Sequence, residues 1–112
     1  MNDFNQIIRA TEQYLNAKKV FIQNPQRIEE IRNATEIAVE LFPDAVISIV
    51  EDPLQMGALI LQIEDEQLLV VREITRFFEM LQYADNFDIF CKGNKISISV
   101  LFNKALVRIG IS

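Results

Sequence analysis

Apolar and polar residues alternate with a period of two from Phe87 to Ile111, the pattern of half-buried strands. Phe87, Ile89 and Cys91 alternate with Asp88, Phe90 and Lys92; beyond Gly93-Asn94, Ile96, Ile98, Val100 and Phe102 alternate with Ser97, Ser99, Leu101 and Asn103. Gly93-Asn94 suits a type II′ hairpin turn, because Gly reaches positive φ without a Cβ clash. Asn103-Lys104 is a second turn candidate. Together the turns predict a three-stranded meander. Its register sets Phe87, Ile89 and Cys91 against Val100, Ile98 and Ile96, and these in turn against Val107, Ile109 and Ile111, all on one face. The other face carries the row Asp88, Ser99, Arg108, then Phe90, Ser97 and Gly110, with Leu101 opposite Leu106.

Upstream, the period changes to that of a helix. Phe4, Ile7, Ile8, Thr11, Tyr14, Leu15, Phe21 and Ile22 follow Asp3 as one stripe, which predicts a helix ending near Gln23. Asn24-Pro25 then reads as an N-cap followed by proline at the first helical position, where its missing N–H costs nothing. The second helix buries Ile28, Ile31, Ala34, Thr35, Ala38, Leu41 and Phe42 and stops at Pro43. Ala45 to Val50 is a nearly continuous apolar run, expected as a central strand covered on both faces. Ala58 to Glu64 alternates as another strand. Asp65 is the expected cap of a third helix reaching Tyr83, with Val70, Val71, Ile74, Phe77, Phe78, Leu81 and Ala84 on its apolar stripe.

The expected fold is therefore a single α+β domain over residues 1–112. An N-terminal αα-hairpin within 1–43 precedes a ββαβββ unit over 44–112, whose five-stranded antiparallel sheet has the order 2-1-5-4-3 with strands numbered along the chain. This element order resembles that of profilin-like, longin and roadblock domains, and more loosely that of small acidic secretion-chaperone-like folds, in architecture alone.

Composition narrows the chemistry. The chain has no histidine and one cysteine, which removes the usual general base near neutral pH, the histidine-based nucleophile systems and thiolate metal clusters. The three glycines, at 57, 93 and 110, form no phosphate loop. Glu64, Asp65 and Glu66, and Glu51 with Asp52, lack the acidic ladder of a calcium loop and read as caps and strand ends. No cofactor, metal or catalytic residue is expected. Cys91 reads as a small core residue, and a single cysteine excludes an intramolecular disulfide.

The net charge is −5, so nucleic acid and anionic lipid are not expected partners. The charge is uneven: residues 1–85 carry seven Lys/Arg against fifteen Asp/Glu (−8), and 86–112 carry four against one (+3). The first residues lack the basic region and apolar core of a signal peptide, and no window approaches the roughly 20 apolar residues of a membrane span. A cytoplasmic setting is the expectation, in a chain of bacterial or phage-like size. The functional expectation is a non-catalytic protein–protein interaction module: a homodimer, or an adaptor, chaperone or inhibitor of a larger partner. The alternative is a small-ligand-binding or sensory domain of profilin-like type, with Leu54, Met56 and the Asp52-Pro53 loop as its rim. The expected interaction face comprises Asp88, Phe90, Ser97, Ser99, Leu101, Leu106 and Arg108. The N-terminal helices or another chain would cover it.

Overall fold

A computed structural model describes residues 2–66 and 73–108. In chain order the elements are α1 (Phe4–Lys18), β1 (Val20–Ile22), α2 (Pro25–Leu41), β2 (Val46–Glu51), β3 (Leu59–Asp65), α3 (Ile74–Gln82), β4 (Asn86–Lys92), β5 (Lys95–Phe102) and β6 (Leu106–Arg108). The fold is α+β with antiparallel sheets: β2, β3, β5 and β4, in that order, form a four-stranded sheet, and β1 pairs with β6 in a two-stranded one.

Local chemistry explains the helix starts. The Asp3 carboxylate accepts the Asn5 N–H at 2.9 Å, and Asn24 Oδ1 accepts the Gln26 N–H at 3.0 Å with Pro25 at the first helical position. Both are side-chain caps for N–H groups that have no partner inside the helix. Pro43 follows the end of α2, as expected. α1, in contrast, stops at Lys18 rather than near Gln23. Lys19 turns left-handed at φ 57°, and its N–H closes on the Asn16 carbonyl at 3.1 Å. The β-branched and aromatic run Val20-Phe21-Ile22 then pairs with Arg108, Val107 and Leu106. Pairing on a pleated surface outweighs the helical spacing of Phe21 and Ile22, and the expected αα-hairpin becomes helix–strand–helix.

The β4–β5 hairpin has the expected register, with Phe87 opposite Val100, Ile89 opposite Ile98 and Cys91 opposite Ile96. Gly93 sits at φ 62° in its turn, as the first position of a type II′ turn requires. The third meander strand does not form. After Phe102 the chain turns through Lys104 at φ 52°, and the N–H groups of Ala105 and Leu106 both donate to the Gly57 carbonyl, at 2.8 and 2.9 Å. Those bonds draw β6 toward the loop ahead of β3 and on to β1, so β3 takes the place beside β5. The five-stranded order 2-1-5-4-3 is thereby replaced. β2, expected at the centre, is an edge strand, with Ile47 and Ile49 buried and Val46 and Ser48 exposed.

The third helix also differs. Asp65 is the last residue of β3, and α3 begins at Ile74 after Glu73, whose side chain makes no capping bond. Of its expected stripe, Phe77 is buried, Leu81 and Ala84 are half-buried, and Ile74 and Phe78 are exposed; Met80, which the stripe did not include, is fully buried. Val70 and Val71 lie outside the described residues, and so do Ile109, Gly110 and Ile111.

All three helices serve one side of the larger sheet. Its core face carries Ile47, Ile49, Leu59, Leu61, Ile63, Ile96, Ile98, Val100 and Phe102, which pack with Leu15 of α1, Ile31, Ala34, Ile37 and Ala38 of α2, and Phe77 and Met80 of α3. Burying each of the larger of these side chains contributes about 1.5–3 kcal/mol, so this is the main store of stability. Arg76 ties α3 to α2 through Glu40 at 2.8 Å and also holds Glu79 at 2.9 Å.

Candidate functional site

Three helices on one face leave the other without a helix among the described residues. Register places Ser48, Gln62, Ser99 and Asp88 in one row across it, and Val46, Glu64, Ser97 and Phe90 in the next. A third row runs Val50, Ile60, Leu101, Asn86. Gln62 Nε2 donates to Ser97 Oγ at 2.9 Å and stiffens the middle of this face.

The two edges of the sheet are treated differently. Along β2 lies α1, and its Tyr14 hydroxyl accepts the N–H of Glu51 at 3.2 Å, so a helix occupies the space a further strand would need. Along β4 no described element lies beside the strand: the sheet order ends there. Every residue of β4 is exposed. Phe90 is 62% exposed, Phe87 47% and Ile89 41%, while Val100 and Ile98, the partners of Phe87 and Ile89 across the hairpin, are fully buried.

The direction of the β4 backbone follows from the turn. In a hairpin closed by two residues the flanking pair, here Lys92 and Lys95, exchanges hydrogen bonds, and such pairs alternate along the ladder. Phe90, Asp88 and Asn86 therefore direct their N–H and C=O groups to β5, and Cys91, Ile89 and Phe87 direct theirs outward. The Phe87 N–H donates instead to Asn86 Oδ1 at 2.8 Å. A row of outward amides and carbonyls flanked by apolar side chains is a template for another strand.

From the base of this strand a polar network reaches into the domain. Asp85 Oδ2 accepts the Arg27 guanidinium at 2.7 Å and the Asn103 N–H at 2.8 Å, and Arg27 also donates to the Asn103 carbonyl at 3.0 Å. Arg27 lies over the Phe102 ring, 6.0 Å from its centroid. The start of β4 is thus pinned to α2 and to the turn after β5.

The expected interaction face is divided by this arrangement. Asp88, Phe90, Ser97, Ser99 and Leu101 share the open face of the larger sheet. Leu106 and Arg108 do not: they pair with Ile22 and Val20 in the small sheet, and Arg108 approaches Glu51 at 4.0 Å. The row Asp88, Ser99, Arg108 therefore holds only for its first two members. The N-terminal helices do not cover this face, since their apolar stripes are consumed by the core face. Cys91, expected in the core, is exposed, because the strand that carries it is an outer one. Periodicity missed the importance of Phe87, Ile89 and Cys91. Both strands of a hairpin show the same alternation, and only the placement of β3 decides which of them is the edge.

No protein-family model, curated protein or solved structure matches this chain. What it does has to be read from its own surface chemistry. Among the described residues no group of three His, Cys, Asp or Glu side chains converges as a metal site, and no helix is long and apolar enough to cross a membrane. The Arg76 guanidinium is held above its ordinary pKa by hydrogen bonds to Glu79 and Glu40, a structural tie rather than a reactive group.

A cleft of about 370 Å³ runs between α1 and β2, lined by Asn2, Gln6, Ala10, Tyr14, Ser48 and Val50 among others. Asn2 Nδ2 donates to the carbonyls of Phe42 and Ala45, and Thr11 Oγ1 to that of Ile7, so these groups hold the chain together. The expected ligand rim is not at this cleft. Leu54 and Met56 are almost fully exposed, and an Asx turn, with the Leu54 N–H bonded to Asp52 Oδ1 at 2.9 Å, aims the loop into water.

Proposed function

We propose that this chain is a non-catalytic protein–protein interaction module whose docking element is the outer edge of β4. The observation that carries the reading is a seven-residue edge strand exposed along its whole length, with Phe87, Ile89 and Phe90 standing in water. An exposed apolar edge is an aggregation hazard in a monomer. In a protein that adds a partner strand it is the binding site: backbone hydrogen bonds supply affinity and alternate side chains supply specificity. In this reading the module works in the cytoplasm, where reducing conditions keep the exposed Cys91 a thiol.

The test is site-specific photo-crosslinking in expressing cells. A photoreactive residue at Phe90, on the open face beside the edge, is compared with one at Glu12, exposed on α1. An adduct at 90 that is absent at 12 and is abolished by Ile89→Pro supports the reading. That proline removes an N–H that does not bond β5, so the hairpin keeps its ladder while the edge loses a donor. Adducts of equal yield at both positions, or none at 90, would sink the reading.

A further inference from the structure

We infer that the strand added at the β4 edge is β4 of a second copy, paired antiparallel about a two-fold axis at Phe90. This rests on the reading of β4 as a docking edge and names its partner. The outer edge of β4 is complementary to itself. Outward hydrogen bonding from Phe87, Ile89 and Cys91 permits only registers that pair odd with odd positions, and three of these put the axis within the strand's centre.

With the axis at Asp88, two carboxylates face each other, which is unfavourable. With the axis at Ile89, Asp88 is set against Phe90 of the other copy on one side, and Asn86 against Lys92. With the axis at Phe90, the two Phe90 rings meet, Asp88 lies opposite Lys92 of the other copy twice over, and Ile89 lies opposite Cys91 twice over. Only this last register matches aromatic with aromatic, acid with base and apolar with apolar along the strand. The Phe90 pair falls at a non-hydrogen-bonded position, where side chains approach most closely.

Within the contact itself the charges balance, since β4 carries one acid, Asp88, and one base, Lys92. The product is a continuous eight-stranded sheet, twice the four-stranded sheet of one copy.

The experiment is sedimentation velocity on the full chain from low to high micromolar concentration, with charge-reversed variants. The wild type is expected to dimerise with concentration. Asp88→Lys and Lys92→Asp each turn two attractive pairs into repulsive ones and are expected to weaken the dimer about tenfold, whereas Asp88→Lys combined with Lys92→Asp restores it. Both residues are exposed and face Ser99 and Lys95 within the hairpin, so the variants fold. A species of monomer mass at every concentration overturns the second copy. Dimerisation that each single reversal leaves unchanged, or that the double variant fails to restore, overturns the register. In the crosslinking comparison, a Phe90 adduct of any mass other than twice the monomer leaves the docking edge standing and removes the second copy as its occupant.

Discussion

Replacing Arg27 with methionine removes a guanidinium but keeps an apolar stem of similar length over Phe102. Three hydrogen bonds are lost with it, to Asp85 Oδ2 at 2.7 Å, to the Asn103 carbonyl at 3.0 Å and, the longest, to Glu30 Oε2 at 3.4 Å. Hydrogen bonds to a charged group contribute about 1.5–3 kcal/mol when shielded from water, and an exposed ion pair contributes about 0–1 kcal/mol. The Arg27 side chain is 17% exposed and that of Asp85 37%, which places the expected loss between those limits, at about 1–2 kcal/mol. In a domain of this size that is a fall in Tm of roughly 4–8 °C. Asp85→Asn keeps an acceptor for the Asn103 N–H and discards the charge, so about 1 kcal/mol is expected. Because both substitutions break one network, the double variant should cost about as much as the worse single one, a coupling on the order of 1 kcal/mol. Urea denaturation followed by circular dichroism measures all four proteins. Additive losses, to within about 0.3 kcal/mol, would show that Arg27 and Asp85 act separately and that β4 is not held to α2 through this pair.

Ile98 and Ile89 face each other across the hairpin, yet Ile98→Ala should cost about 2–5 kcal/mol and Ile89→Ala less than about 1 kcal/mol, measured by denaturant unfolding at a concentration where the chain is monomeric. Equal losses would place Ile89 in the core and contradict its exposure. Lys19 occupies the left-handed position that ends α1, at φ 57°; Lys19→Gly removes the Cβ clash there and should stabilise the fold by about 0.5–1 kcal/mol, read as a rise in Tm. A fall in Tm would mean that the lysine side chain contributes more than its backbone strain costs.

Where local chemistry dictates structure, the chain was legible. Asn24-Pro25 starts α2, Pro43 follows its end, and Gly93-Asn94 sets the β4–β5 register as the alternation requires. Each of these rests on one or two residues whose preferences do not depend on the rest of the fold. Choices between equivalent partners were not legible. Ala45 to Val50 is apolar enough for a central strand, but its neighbours are chosen by the Gly57 carbonyl, which captures the N–H groups of Ala105 and Leu106 and takes β6 away from the sheet. Nothing in the period of residues 106–108 distinguishes pairing with β5 from pairing with Val20–Ile22. The expected interaction face follows the same division: Asp88, Phe90, Ser97, Ser99 and Leu101 share a surface because the Gly93-Asn94 turn fixes the hairpin that carries them, and Leu106 and Arg108 fall away because their strand pairs with Val20–Ile22 instead of β5.

The two outer strands of the larger sheet pose the same physical problem and meet it differently. β2 and β4 each leave one side of their backbone without a strand partner, and each has an apolar row on the core face. α1 packs beside β2, shields Ile47 and Ile49 and supplies the Tyr14 hydroxyl to an outward N–H, so that edge is closed by the chain itself. β4 has Arg27 and Asp85 to anchor its base but no described element beside it, and its core-face residues Phe87 and Ile89 remain about half in water. α2 and α3 turn Ile31, Ala34, Ile37, Ala38, Phe77 and Met80 into the core, and their remaining large apolar side chains Ile28, Ile74 and Phe78 stand exposed, so among the described residues neither helix covers β4. In the proposed function the cover for β4 is a partner's strand, which uses the outward N–H and C=O groups of Ile89 and Cys91 and needs no helical surface. A strand that carries its own complement, with Asp88 and Lys92 spaced equally about Phe90, is found on the same edge.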